Sequence, residues 1–85
     1  MTSSDVRDKV RAFILEEILP GESPENLHDD MPLRTSGLID SMGTIRMTAY
    51  LEQTFGISIA AHETGVENFE TVDSICAFVT GKLAG

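Results

Sequence analysis

Residues 40–59, DSMGTIRMTAYLEQTFGISI, decide how the rest of the chain is read. Met42, Ile45, Met47, Leu51 and Phe55 recur at helical intervals behind Asp40, a natural N-cap, and Gly56 closes the run. A helix is therefore expected to open at Asp40 or Ser41 and to run to Phe55. Ile57-Ser58-Ile59 alternates as a strand would. No second convincing strand is present to pair with it, so it is expected to be an extended connection.

Working outward, Thr71 can cap a further helix that reaches Leu83 on the stripe Val72, Ile75, Cys76, Phe78, Val79 and Leu83, with Gly81 weakening its last turn. A single helical turn is expected around Glu63 to Asn68. Upstream, Val6, Val10, Phe13, Ile14 and Ile18 mark an amphipathic helix from Ser4 to Leu19. Ser3 or Ser4 can cap it, Asp5 and Asp8 suit its positive first turn, and Pro20-Gly21 ends it. Residues 20–40 hold all three prolines together with Leu27, Met31, Leu33, Leu38 and Ile39. That is too much apolar surface for a floppy linker, so several of these side chains are expected to enter the core. The expected fold is all-α: a small four-helix bundle, three main helices and one short one, with a long ordered loop between the first two.

Composition narrows the function. The chain has 85 residues, with 14 Asp and Glu against 6 Lys and Arg, a net charge of −8. Such a chain forms one domain spanning residues 1–85 and buries roughly 60–65% of its unfolded surface. One small core leaves little room for an enclosed catalytic cleft, so a self-sufficient enzyme is not expected. The acidic balance argues against nucleic-acid binding, whose affinity rests on Lys and Arg neutralising phosphates. Cys76 is the only cysteine, so neither an internal disulfide nor a zinc ligand set is available. MTSSDVRDKV lacks the charged and apolar regions of a signal peptide, and no run of residues suits a membrane span. A cytoplasmic location follows as the expectation.

Ser41 is the residue placed for chemistry. It stands where a long loop meets a helix N-terminus, and free N–H groups and the helix dipole there favour an anion such as a phosphate ester. The plainer possibility is that Ser41 caps the helix beside or instead of Asp40. A nucleophile elbow needs glycine two residues before and after the serine, and here only Gly43 is in place. His28 and His62 lie in polar loop segments with no βα scaffold and read as solvated. Asp29 and Asp30 do not continue into a calcium-loop pattern.

Residues 40–59 resemble the signature of the acyl and peptidyl carrier protein family: Asp-Ser-Leu or Asp-Ser-Met, apolar residues at fixed offsets, Leu-Glu, a Phe, then an alternating Ile or Val segment. ENFETVDSI, residues 67–75, is similar to the family's lead into its last helix, and Leu33 with Ser36-Gly37-Leu38-Ile39 resembles the loop before its serine. The resemblance implies a carrier with no catalysis of its own, and a monomer is expected because transient docking with several enzymes requires weak, exposed contact surfaces. A phosphopantetheinyl transferase would move 4′-phosphopantetheine from coenzyme A onto Ser41, and cargo would ride on the arm's thiol as a thioester. Asp40 would help orient the transferase's metal and phosphate. Met42 holds the position of a large apolar side chain that touches partners, a role compatible with half-burial in the core. The implied partners are the transferase, an adenylating ligase or acyltransferase, and a downstream condensing or transfer enzyme.

Departures from the family pattern point to the cargo. Fatty-acid carriers have a strongly acidic second helix, whereas here Arg46 and Glu52 cancel and residues 41–55 are neutral. Acids cluster later, at Glu52, Glu63, Glu67, Glu70 and Asp73, so docking is expected to use Met42, Ile45, Arg46, Glu63 and Glu67. Thr48 stands where long-chain carriers keep an aliphatic residue, and an unbonded buried hydroxyl would oppose an alkyl chain. Together with a likeness of residues 40–44 to D-alanyl carriers and of ENFETV to peptidyl carriers, this favours a free-standing aminoacyl, peptidyl or short-acyl carrier. The alternatives are a fatty-acid or polyketide carrier and, from another class, an acidic helical adaptor with no prosthetic group. Tyr50 reads as an amphipathic surface residue. Cys76 reads as a small hydrophobe with no basic neighbour on its own helix.

Overall fold

The computed structural model describes residues 3–84. Helix α1, Ser3–Phe13, continues into a wider π-type stretch, Ile14–Ile18, and helix α2 spans Ser41–Phe55. Helix α3 is the short Val66–Phe69 and helix α4 is Val72–Ala84. Among the described residues there is no strand, and Ile57-Ser58-Ile59 lies outside every helix, as expected of a connection. No helix there is long and apolar enough to cross a membrane.

The caps match the sequence at two helices and differ at the first. Asp40 caps α2, and Gly56 ends it in the left-handed region at φ 66°. Thr71 Oγ1 accepts the Ser74 N–H at 2.9 Å ahead of α4. Helix α1 already includes both Ser3 and Ser4, so neither is its cap, and the residue before Ser3 lies outside the described residues. Asp5 keeps its place in the positive first turn, while the earlier start moves Asp8 beyond it.

One core unites the helices. Val6 and Val10 of α1 and Ile14 of the π-type stretch meet Met47, Leu51 and Phe55 of α2, Phe69 of α3, and Val72, Ile75, Cys76 and Val79 of α4. Helix α1 packs chiefly on α4. Phe13 stacks on Tyr50 at 4.3 Å between ring centres, and the Tyr50 hydroxyl donates to Lys9 O at 3.2 Å. Tyr50 thus joins α2 to α1 and is more than a surface residue.

The long loop is ordered by burial and by charge. Leu27, Leu33 and Ile39 are buried and Met31 is half-buried, as the sequence implied, while Leu38 stays exposed. Arg7 of α1 bridges Asp29 of the loop at 2.8 Å and Asp73 of α4 at 2.7 Å. Arg11 reaches the same Asp29 at 2.8 Å. The radius of gyration, 11.7 Å, is close to the roughly 12 Å of a compact chain this long, so the loop lies against the helices.

Candidate functional site

Ser41 is the first residue of α2 and is exposed, and its hydroxyl makes no hydrogen bond among the described residues. The capping is done by Asp40 instead. In extended backbone, its Oδ1 accepts the Gly43 N–H at 2.8 Å. Its carbonyl accepts both the Thr44 N–H at 2.9 Å and the Thr44 hydroxyl at 3.0 Å. The N–H groups of Ser41 and Met42 are left without protein acceptors, as the first turn of a helix requires. A free hydroxyl therefore stands beside two free donors at the positive end of a 15-residue helix. A phosphodiester fits there: it would be esterified to the oxygen that nothing occupies, and its charge would face donors that nothing satisfies.

Gly43 explains how the cap closes. A Cβ at this position would lie 3.0 Å from Ile39 Cγ2 and 3.4 Å from Asp40 Oδ1. Its absence lets buried Ile39 seat against the first turn while the Asp40 carboxylate reaches the backbone. Gly43 is itself buried, so it is a packing residue and not a vacant docking position.

The surface beside the serine is apolar. Met42 is 64% exposed and Ile45 61%, with Leu38 at 39% on the loop before them. Met42 is thus not half-buried, and Ile45, one turn after Ser41, does not join the inward stripe of α2. Thr44 turns inward in its place at 6% exposure. Its hydroxyl can be buried because Asp40 O satisfies it. Thr48 likewise donates to Thr44 O at 2.8 Å, so the desolvation argument against an alkyl chain loses its basis. Thr44, Ile45, Thr48 and Glu52 of α2, with Ala61 and Thr64 opposite, line an open groove of about 330 Å³.

Most of the charges expected to meet partners are instead held within the molecule. Arg46 pairs with Glu17 at 2.8 Å and donates to its carbonyl, while Glu52 accepts the Ile59 N–H at 3.0 Å, so these two do not offset each other locally. Glu63 pairs with Lys82 at 2.8 Å and accepts the Ala60 N–H at 2.9 Å. The Lys82 bond, with that backbone N–H, holds the Glu63 carboxyl below the usual range. Glu70 accepts from Thr35 and Arg34 of the loop, with the Thr35 hydroxyl the largest cause of its lowered pKa. Of the five acids from Glu52 to Asp73, Glu67 alone is exposed with no hydrogen bond or ion pair among the described residues. His28 and His62 are exposed. Burial pushes the Cys76 thiol up, against the opposing pull of Arg7, a basic neighbour supplied by α1.

Sequence reasoning placed Asp40, Ser41 and Met42 side by side, and they are so placed. It missed Thr44 as a buried member of the cap and Glu70 as a partner of the loop. Thr44, four residues after Asp40, had a signal in its spacing from the cap. Glu70 had none, because its partners Arg34 and Thr35 lie thirty-odd residues upstream.

Residues 10–79 match the protein family described as "Phosphopantetheine attachment site". A D-alanyl carrier protein of Abiotrophia defectiva is 35% identical over 72 residues, which is 84% of this chain and 89% of that protein. An acyl carrier protein of Thermosynechococcus vestitus is 25% identical over 99% of each chain. Among solved structures, a chain from "Crystal structure of FAD-dependent dehydrogenase" superposes with a TM-score of 0.74 at 30% identity, covering 82% of this chain and 97% of that one.

Proposed function

The chain belongs to the phosphopantetheine attachment-site family, and on that premise we propose that Ser41 is the residue that takes the arm. The protein is a phosphopantetheine-dependent carrier, and the arm supplies a terminal thiol on which cargo is held as a thioester. The observation that supports Ser41 is its exposed, unbonded hydroxyl at the start of α2. During modification the Ser41 oxygen gains a bond to phosphorus and gives up its proton to the transferase, while the nucleotide half of coenzyme A departs. Ser41 is an acceptor and not a catalytic nucleophile, and the chain performs no catalysis of its own. Asp40 holds the first turn in shape and adds a carboxylate beside the reacting oxygen. Met42 and Ile45 offer apolar contact to the phosphopantetheinyl transferase, to an adenylating ligase and to the enzyme that next receives the cargo.

For the cargo, an aminoacyl group of the D-alanyl type is the reading best supported. The reading rests on the Abiotrophia relative, a D-alanyl carrier protein that is 35% identical over 84% of this chain. A second reading, a short acyl group, is favoured by the bonded state of the Thr48 hydroxyl and by the full-length likeness to an acyl carrier protein.

The test is incubation with coenzyme A and a promiscuous phosphopantetheinyl transferase, followed by intact-mass measurement. Wild type gains one arm and Ser41→Ala gains none; an unmodified wild type refutes the assignment. Loading the modified protein with adenylating enzymes and either amino acids or fatty acids then separates the two cargoes. A prosthetic-group-free adaptor would instead keep its full biological activity as Ser41→Ala.

A further inference from the structure

One carboxylate gathers part of the backbone that delivers the chain to Ser41. Glu70, in the junction between α3 and α4, accepts the Arg34 N–H at 2.8 Å and the Thr35 N–H at 3.1 Å on one oxygen, and the Thr35 hydroxyl at 2.6 Å on the other. Its carbonyl also accepts the Leu33 N–H at 2.6 Å. The Arg34 guanidinium reaches back to Thr64 O at 3.0 Å, ahead of the same junction. From this clamp the chain turns at Gly37, where φ is 83°, and the Ile39 N–H closes onto Leu33 O at 2.9 Å. Ile39 is the residue whose side chain seats under Gly43. Contacts therefore run from Glu70 through residues 33–39 to the cap and the serine, with every step a hydrogen bond or a packed side chain.

We propose that Glu70 is a positioning residue for modification of the serine: by gathering the backbone of Arg34 and Thr35 it fixes the loop that presents Ser41 to the transferase. The inference rests on Ser41 as the attachment site. It gives Glu70 a role apart from docking, since its carboxylate oxygens are engaged by the chain itself. A serine displaced by a loosened loop can still be esterified, only more slowly, because a reacting oxygen must be held close to its in-line position.

The test compares arm transfer to wild type, Glu70→Ala, Glu70→Gln and Val79→Ala. Val79 is fully buried on α4, so its truncation lowers stability without touching the clamp. Glu70→Ala should lower kcat/KM for modification by about ten- to a hundred-fold, the scale of a small misplacement of a reacting group. Glu70→Gln should recover most of this, because its carbonyl oxygen can accept both N–H groups and its amide can donate to the Thr35 hydroxyl. Val79→Ala, assayed below its melting temperature, should be modified at the wild-type rate. Amide exchange at Arg34 and Thr35 should quicken in Glu70→Ala and not in Val79→Ala, a readout that needs no arm. If Glu70→Ala folds too poorly to assay, Thr35→Ala, which removes only the hydroxyl bond, should show a smaller loss of the same kind. Equal kcat/KM for wild type and a folded Glu70→Ala, or an equal loss in Val79→Ala, overturns the role of Glu70. Failure of wild type to gain an arm at Ser41 overturns instead the site assignment beneath it.

Discussion

Replacing Asp40 separates what the carboxylate does for the helix from what it does for modification. Only one of its bonds is at risk, Oδ1 to the Gly43 N–H at 2.8 Å, because the two bonds to Thr44 use the backbone carbonyl and survive any substitution. Loss of an Asp cap to alanine costs about 1 kcal/mol. Removing a negative charge from a helix N-terminus costs about 0.5 kcal/mol more. For a domain of this size the sum lowers the melting temperature by roughly 6–12 °C. Asp40→Asn keeps the acceptor oxygen and loses only the charge, so its drop should be about 2–4 °C. Thermal unfolding followed by circular dichroism measures both, and the same preparations give kcat/KM for arm transfer. If Asp40→Ala melts within a degree of wild type, the cap does not hold α2 as described. If Asp40→Asn is modified at the wild-type rate, the charge beside Ser41 has no part in orienting the transferase.

The other expectations concern the loop, the charges, the thiol and the docking face. Leu33 is fully buried although it belongs to a loop, so Leu33→Ala should cost about 2–5 kcal/mol, as a helical core residue would, read as a fall in the urea midpoint. The Glu63 and Glu70 carboxyls are both held below their ordinary pKa. Their stabilisation is therefore complete above the ordinary carboxylate range and is lost as pH falls through the lowered values. Melting temperature should drop on acidification there, and Glu63→Gln should flatten part of that drop. Cys76 is buried, with its thiol pKa raised by that burial. It should resist a thiol reagent in the folded protein and react fully in denaturant; rapid labelling of the native state would contradict the packing. Met42 is 64% exposed, so Met42→Ala should weaken kcat/KM with transferase or ligase while leaving the melting temperature within about 2–4 °C, as surface changes do.

Much of the bundle was legible because helices announce themselves locally. The caps at Asp40 and Thr71, the stop at Gly56 and the spacing of Val6, Val10 and Ile14 each depend on residues within a few positions of one another, and each is where the sequence implied. The burial of Leu27, Leu33 and Ile39 was legible too, since apolar side chains in so small a chain have one core to enter. The faces of α2 were less so. Ile45 and Thr44 differ by one position on the helix; register puts Thr44 on the face of Met47, Leu51 and Phe55, and its hydroxyl tolerates that burial by bonding Asp40 O.

The amino-acid order alone thus determined the helices, the caps of α2 and α4 and the hydroxyl set at the head of α2, because those features draw on neighbours along the chain. The tertiary structure decided which acids the chain itself engages, by joining Glu63 to Lys82, Asp73 to Arg7 and Glu70 to the loop before Ser41. Charges that look alike in sequence part company only when folding brings a distant donor against one of them and leaves another, Glu67, in water.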